Sequence, residues 1–356
     1  MALDAPFIPD PDYAAFLAER RGRLHSVYFS LYAEGVPDGR HRFQNLGVRR
    51  LADLLKGVAG PKKYGLLNSR FHPPAFYADP NGLSAVLDVM GALLADGVLD
   101  GIVYADHYLL NALSGASPDT AAALEAVPSV NFLPETFDGI YVLMAAIGET
   151  HFRPPGKLTL DRSLNRRMGD LAALSSHIRS EWPDLKISLL ANEGCLYRCP
   201  FKLTHDAHIG LVHLGHDLDT HRVNEDLGCM AHLREDPHRL LASPFIRPED
   251  AHLYRDHADI LKICGRTLGP AFLKRVVAAY LVGAYEGNLL DLTDAMAWMA
   301  DEVHVANPSI PDDFAATAAG CAKTCGACDY CRSVFDACAA PVDAPSRRIK
   351  DFRRDR

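Results

Sequence analysis

The chain has 356 residues, of which 48% are hydrophobic and 23% are charged, and its formal net charge at pH 7 is −8. This composition is typical of a globular protein with a sizeable core, and the negative balance argues against nucleic acid as the main partner, because phosphate binding requires a basic face. The N-terminus does not resemble a signal peptide, and no apolar run is long enough to span a membrane. We therefore expect a cytoplasmic protein without a membrane partner.

Eight short apolar runs rich in β-branched and aromatic residues are predicted to be strands. In chain order they are residues 25–32, 63–68, 101–106, 128–132, 157–161, 185–192, 243–246 and 258–264, of which the seventh is the weakest. Between them lie amphipathic segments with apolar residues at helical spacing, such as residues 83–94 and 165–180. Strands that alternate with helices indicate a parallel sheet. The sequence therefore predicts an α/β fold, a (β/α)8-like (TIM-type) barrel, with a doubly wound open sheet as the alternative.

Polar side chains follow most of these predicted strands at their C-terminal ends. They are Asn68, Arg70, Asp106, His107, Asn131, Glu135, Asp161, Arg162, Asn192, Glu193, Arg247 and Arg266. In a barrel these ends converge on one face, where active sites lie. Asp106, His107 and Glu193 are candidate catalytic acid–base groups. Arg266, like the other three arginines, is a candidate clamp for an anionic substrate, since a guanidinium binds a carboxylate through two hydrogen bonds; helix capping and structural ion pairs are the alternatives.

The nine cysteines fall into two groups along the chain, and the first group is Cys195, Cys199, Cys229 and Cys264. Cys195 and Cys199 lie on the loop after the sixth predicted strand, where Gly194 permits a tight turn. The four thiols can converge if the chain folds back over the barrel mouth. Four soft thiolates select zinc or an iron–sulfur cluster, and we expect a [4Fe–4S] cluster here. The alternative is that Cys229 and Cys264 are small buried apolar residues.

The second group lies in a C-terminal tail that follows the last predicted helix. Cys321, Cys325, Cys328 and Cys331 have the spacing C-x3-C-x2-C-x2-C, and Cys338 is a spare or an alternative ligand. We expect residues 1–310 to form the barrel and residues 311–356 a metal-binding module. Its four thiolates predict a second [4Fe–4S] cluster that passes electrons to the first, with a structural zinc as the alternative. A secreted chain would instead form four disulfides and leave one thiol.

Three segments resemble the collagenase-like (peptidase U32) family. Residues 192–195 are similar to the family's cysteine loop, and residues 259–267 are similar to the strand end and turn that follow it. Residues 157–165 are similar to the element that precedes this loop. In the second segment Lys262, Gly265 and Arg266 match the family's usual pattern, and Cys264 replaces its glutamate. The order of elements is similar over roughly residues 60–290. Several members of this family are not proteases: they hold a four-cysteine [4Fe–4S] cluster at a barrel mouth and support oxygen-independent hydroxylation of ubiquinone precursors or RNA bases.

Together these features predict an iron–sulfur-dependent redox enzyme, similar to the oxygen-independent hydroxylases. Its substrate would be a small anionic or aromatic molecule bound at the barrel mouth, and an electron-donor protein would be a second partner. One alternative is a U32-type peptidase or hydrolase with a structural metal in the tail. The other is a non-catalytic iron–sulfur electron carrier or scaffold.

Overall fold

The computed structural model describes residues 1–32, 46–214, 216 and 219–342. One parallel sheet contains eight strands: β1 (Ala2–Pro6), β2 (Leu24–Ser30), β3 (Lys62–Leu67), β4 (Gly101–Tyr104), β5 (Glu125–Pro128), β6 (Lys157–Leu160), β7 (Lys186–Leu190) and β8 (Ile260–Lys262). Their order in the sheet is β5-β4-β3-β2-β1-β8-β7-β6, and every pairing is parallel. The first strand, β1, pairs with β2 on one side and with the last strand of the sheet, β8, on the other, so the sheet curves toward a closed barrel.

The barrel is nearly closed, and the remaining seam lies between β5 and β6. Within the described residues, a single parallel bridge between Glu125 and Arg153 joins the two sides of this seam. The backbone N–H of Ala126 donates to the carbonyl of Arg153 at 3.0 Å, and the N–H of Arg153 donates to the carbonyl of Leu124 at 2.9 Å. The predicted TIM-like α/β barrel is therefore confirmed.

Helices surround the barrel and form part of the tail. They are α1 (Pro11–Glu19), α2 (Val48–Gly57), α3 (Pro74–Ala78), α4 (Pro80–Ala95), α5 (His107–Ala116), α6 (Pro118–Ala122), α7 (Phe137–Gly148), α8 (Met168–Glu181), α9 (Lys202–His213), α10 (Thr220–Leu227), α11 (Cys229–Glu235), α12 (Arg239–Ala242), α13 (Gly269–Val282), α14 (Phe314–Gly320) and α15 (Tyr330–Cys338). The side chain of Asp79 accepts a hydrogen bond from a backbone N–H of the first turn of α4, and Thr136 does the same for α7. The strands are buried but not uniformly apolar, since Asp4, Ser26, Lys157, Thr159 and Ser188 are buried within them. Within the described residues, no helix is both long enough and apolar enough to cross a membrane.

Most predicted strands correspond to observed ones, with three differences. The runs predicted at residues 25–32, 63–68, 101–106, 157–161, 185–192 and 258–264 correspond to β2, β3, β4, β6, β7 and β8. The run at 128–132 is displaced: β5 ends at Pro128, and a 3₁₀ turn follows it (Val130–Phe132). Residues 243–246 are not a strand. The first strand, β1, was not predicted, because Asp4 and Pro6 interrupt its apolar pattern.

The tail packs against the barrel through a second hydrophobic cluster. Strand β9 (Val303–Val305) pairs antiparallel with β10 (Ala339–Pro341). The cluster contains Leu240, Phe245, Leu290 and Met299 from before residue 310, and Phe314, Ala318, Val334 and Cys338 from after it. The boundary predicted at residue 310 therefore passes through a shared hydrophobic cluster. Residues 343–356 of the predicted tail module lie outside the described residues.

Candidate functional site

A cavity of about 1230 Å³ opens at the carboxyl ends of the barrel strands. Residues that follow five of the strands line it, among them Ser69, Asn131, Arg162, Glu193 and Arg266. Helices α9, α10 and α11 contribute further lining residues, including His205, Asn224 and Met230. This end of a TIM-type barrel is where active sites are built, because loops from several strands meet there.

All four cysteines of the first group line this one cavity, although they come from three separate segments. Cys195 and Cys199 lie on the loop after β7, Cys229 begins α11, and Cys264 follows β8. All nine cysteines of the chain fall within the described ranges, and all are free thiols. The four thiols of the first group thus belong to the lining of one cavity, and their role as ligands of a single cluster stays a prediction.

The buried side chain of Asn192 fixes the backbone of Cys264 to the cysteine loop. Its Oδ1 accepts from the backbone N–H of Cys264 at 2.7 Å, and its Nδ2 donates to the carbonyl of Cys264 at 3.2 Å and to that of Leu292 at 2.9 Å. The loop that carries Cys195 and Cys199 and the strand end that carries Cys264 are therefore hydrogen-bonded to each other through Asn192. Ser243 fixes the loop further, since its Oγ donates to the carbonyl of Cys195 at 2.7 Å.

Gly194 is required where the cysteine loop turns toward the cavity. Its φ is +73°, in the left-handed region, and a Cβ there would lie 3.1 Å from Cβ of Thr293. We expect Gly194→Ala to lower the free energy of unfolding by about 1–3 kcal/mol, since a strained left-handed conformation is added to a tight contact. Chemical denaturation measures this effect.

The matched control for that substitution is Gly91→Ala. Gly91 lies inside α4, and a Cβ there would meet nothing within 4 Å. It should raise the free energy of unfolding by roughly 0.5–1 kcal/mol, because alanine is the better helix former. Equal effects of the two substitutions would show that the loop conformation at Gly194 is not constrained.

Burial disfavours the thiolate form of three of the cavity thiols. Burial raises the pKa of Cys195 to about 12, and burial also raises the pKa of Cys199 and of Cys229. The charge of a Cys199 thiolate would raise the other two pKa values further. A bound metal centre would stabilise the thiolates and release their protons.

The donor set fits an iron–sulfur cluster or zinc, since both take four thiolates. Within the described residues, no three side chains of His, Cys, Asp or Glu already surround a single ion position. The four thiols of the first group share the cavity without yet forming a coordination shell. Metal binding would therefore draw these segments together.

The cavity is electropositive in a chain that is acidic as a whole. Its basic lining residues are Arg70, Lys157, Arg162, Lys202, Lys262 and Arg266, and its acidic lining residues are Glu193, Asp206 and Asp294. Such an excess of positive charge attracts anions and compensates thiolate ligands. It favours both an anionic substrate and a negatively charged four-thiolate centre.

Two of the predicted catalytic residues, Glu193 and Arg266, lie in the cavity. Glu193 forms a buried ion pair with Arg162, and both residues line the cavity wall. Nη1 of Arg266 donates to Oγ of Ser30 at 2.6 Å. Both groups are thus held in place at the barrel mouth, where they can contact a substrate.

The other two predicted catalytic residues, Asp106 and His107, are not among the described residues that line the cavity. Asp106 caps α5 through the backbone N–H groups of its first turn, and its Oδ2 accepts from Nδ1 of His72 at 2.9 Å and from the hydroxyl of Tyr77 at 2.5 Å. Burial alone would raise the pKa of Asp106, but these hydrogen bonds lower it. Burial lowers the pKa of His107. The structure therefore gives Asp106 a capping position.

Arg247 likewise lies away from the cavity lining. Its Nε and Nη2 donate to the carboxylate of Asp250 at 2.7 and 2.8 Å. Its Nη1 lies 3.3 Å from the carbonyl of Ile310, at the start of the tail. Arg247 thus connects the barrel to the tail.

The sequence interpretation missed a charged network at the floor of the cavity. Asp4 is fully buried, and its Oδ2 accepts from Nζ of Lys157 at 2.7 Å and from Nζ of Lys262 at 2.8 Å. Burial lowers the pKa of Lys157 to about 8, although Asp4 opposes this shift. The signal was available in the sequence, since a lysine at the start of a fully buried strand needs a buried partner.

The second cysteine group lies on the tail, away from the cavity lining. Cys321, Cys325 and Cys328 are exposed, Cys331 is half-buried in the first turn of α15, and Cys338 is buried. Cys338 belongs to the second hydrophobic cluster, which gives it a packing position. The other four thiols follow α14 on one short segment.

Known proteins similar to the chain include one relative by sequence and one solved structure. No protein-family model matches the chain. The chain is 30% identical over 182 residues to an uncharacterized protease of Methanocaldococcus jannaschii, and the match covers 50% of this chain and 52% of that protein. It thus spans about half the length of this relative. The solved structure of the U32 peptidase Mk0906 aligns with a TM-score of 0.47 at 14% identity, covering 74% of this chain and 93% of that one.

Proposed function

We propose that the protein is an iron–sulfur-dependent redox enzyme of the U32 type, which acts on a small anionic or aromatic molecule at the barrel mouth. The observation that carries the proposal is the convergence of four thiols, from three separate segments, on one electropositive cavity. The identity to a protein named a protease over about half its length supports a relation to that group of enzymes. The thiols favour redox chemistry over hydrolysis, because hydrolysis does not require four of them.

The cavity has room for a cluster and a substrate together. Its volume of about 1230 Å³ exceeds the roughly 300–1,000 Å³ of ordinary ligand pockets. Bound to Cys195, Cys199, Cys229 and Cys264, a [4Fe–4S] cluster would exchange single electrons with a substrate or with an electron-donor protein.

The residues beside the thiols would bind and orient the substrate. Arg266 and Lys262 present cationic groups to an anion, and the ring of Tyr28 lies 3.5 Å from Nζ of Lys262. Glu193, held by Arg162, is the candidate proton acceptor in the cavity. Asp106 and His107 have no part in this proposal, because they lie outside the cavity lining.

Metal analysis of anaerobically purified protein tests the proposal. We expect brown protein with broad absorption near 400 nm, and about four irons and four sulfides per chain at the cavity in addition to any iron held by the tail thiols. Iron that stays absent after anaerobic reconstitution would end the redox hypothesis. Since the cysteines are free thiols, we expect the protein to work in a reducing compartment such as the cytoplasm.

A peptidase or hydrolase is the second candidate, and the similarity to an uncharacterized protease favours it. In that case the electropositive cavity would bind an acidic peptide, and the tail would hold a structural metal. Colourless protein that contains zinc and cleaves peptides would support this candidate. A pure electron carrier is disfavoured by the size of the cavity, since a carrier needs no substrate site.

A further inference from the structure

The tail carries a second group of thiols that the proposed function of the cavity does not use. These tail thiols are Cys321, Cys325, Cys328 and Cys331. We propose that they bind one [4Fe–4S] cluster, and that the buried guanidinium of Arg166 is the counter-cation of this centre. The proposal does not depend on a cluster in the cavity.

An ammonium group is built into the loop that carries the tail thiols. Nζ of Lys323 donates to the carbonyl of Ala318 at 2.6 Å, to the carbonyl of Cys321 at 3.1 Å and to Sγ of Cys321 at 3.2 Å. The φ of Lys323 is +58°, a left-handed conformation that is costly for a residue with a side chain. The loop thus adopts a strained turn that places a positive charge against a thiol.

Arg166 supplies a second positive charge from beneath the tail. It is 2% exposed, its Nε donates to the carbonyl of Ser243 at 2.9 Å, and its guanidinium lies 5.1 Å from the ring of Phe245 and 5.6 Å from that of Phe314. Phe314 begins α14, the helix that ends at Gly320, directly before Cys321. Arg166 therefore packs beneath the helix that leads to the tail thiols.

The charge of Arg166 is only partly compensated by a carboxylate. Asp250 stabilises the guanidinium electrostatically, but both oxygens of Asp250 already accept from Arg247, at 2.7 and 2.8 Å. Among the described residues no ion pair joins Arg166 to an aspartate or glutamate, and its Nη2 is buried without a hydrogen-bond acceptor. A buried cation without a full counter-charge is costly, so such a group requires compensation. A four-thiolate cluster carries the negative charge that would supply it.

The spacing of the tail thiols selects iron–sulfur over zinc. C-x2-C-x2-C runs are typical of ferredoxin-like clusters, whereas zinc sites usually place their ligands in two separated pairs. Three of the four thiols are exposed, so the loop can close around a cluster without disturbing the core.

One 3₁₀ turn connects this site to the cavity. The turn Arg162–Arg166 directly follows β6. Its first residue lines the cavity with Cys195, and its last residue packs on Phe314, which begins the helix before the tail thiols. The same short turn thus borders the cavity and the base of the tail.

The double variant Cys325→Ala/Cys328→Ala tests the centre in the full chain, purified without oxygen. We expect it to lose the tail cluster, which is four irons if one [4Fe–4S] cluster is bound, and to keep any iron held by the cavity. Cys338→Ala is the matched control, because Cys338 lies on the same tail but is buried in the hydrophobic cluster; it should keep all iron.

Unchanged iron in the double variant, or the loss of one zinc instead, would overturn the proposal. If the cavity holds no cluster, the unmodified chain contains only the tail iron, so the two proposals fail independently.

Two variants of Arg166 test its role as counter-cation. Arg166→Met removes the charge and keeps an apolar stem of similar length, whereas Arg166→Lys keeps the charge. We expect the reduction potential of the tail cluster, followed by electron paramagnetic resonance, to shift to more negative values in the methionine variant and to stay near the original value in the lysine variant. A nearby positive charge favours the reduced cluster, which explains this direction. Equal potentials in all three proteins would show that Arg166 only packs. If the methionine variant does not fold, a potential in the lysine variant that departs strongly from the original overturns the assignment.

Discussion

The Cys264→Ala variant is expected to lose the iron of the cavity and to keep the iron of the tail. If both centres are [4Fe–4S] clusters, the content falls from about eight irons per chain to about four. The reason is the position of Cys264 in the cavity lining. The side chain of Asn192 bonds both the backbone N–H and the carbonyl of Cys264 and so fixes that position. Iron and sulfide analysis of anaerobically purified protein measures the loss. Cys264→Ser should retain a weaker cluster with one oxygen ligand.

The alternative for Cys264 is that it is a small buried apolar residue. In that case the alanine variant keeps all of its iron and loses only about 1–2 kcal/mol of stability, as expected for a small truncation in a core. Cys338→Ala is again a close control, because Cys338 is 7% exposed and Cys264 is 9% exposed, yet only Cys264 lines the cavity. Iron content and melting temperature of the two variants together decide between the interpretations.

The barrel was predictable because strand and helix patterns are local properties of the sequence. Runs such as residues 63–68 and 185–192 are mostly apolar, although they include Lys63 and Ser188, and both runs are largely buried in the barrel. Strand β1 was missed because Asp4 lies in it, and a buried aspartate is explained only by lysines that are distant in sequence. A local hydrophobic pattern therefore does not predict a strand that contains a buried charge whose partners are distant in sequence.

The candidate site was predictable only in part, because a strand end does not reveal where its side chains point. Glu193 and Asp106 both follow predicted strands, yet Glu193 lines the cavity and Asp106 caps a helix. An aspartate directly before a helix is a common N-cap, and this was the signal that distinguished the two. The packing of Arg166 between Phe245 and Phe314 could not be predicted, since these rings come from distant parts of the chain.

The Asp4→Asn variant is expected to lower the free energy of unfolding by about 3–5 kcal/mol, the usual cost of removing one partner of a buried ion pair. Asp4 is 0% exposed and is shared by two lysines, one of which, Lys157, is only 1% exposed. Asparagine keeps the size of the side chain, so the loss would be electrostatic rather than steric. Lys157, whose pKa burial already lowers to about 8, would become neutral more readily without its carboxylate.

The pH dependence of stability identifies this charge directly. Burial alone would raise the pKa of Asp4, but the two lysines lower it well below its usual value. A carboxyl group whose pKa is lower in the folded state stabilises that state above its unfolded pKa, near 4, and this contribution is lost as the pH falls below it. Denaturation at pH 7 and at pH 3 should therefore show a smaller acid-induced loss of the free energy of unfolding in Asp4→Asn than in the unmodified chain.

Asp88→Asn, at an exposed position on α4, is the matched control and should change stability by no more than about 0.5 kcal/mol. A loss below about 1 kcal/mol for Asp4→Asn at pH 7, with an unchanged pH profile, would show that the lysines at the cavity floor find other compensation.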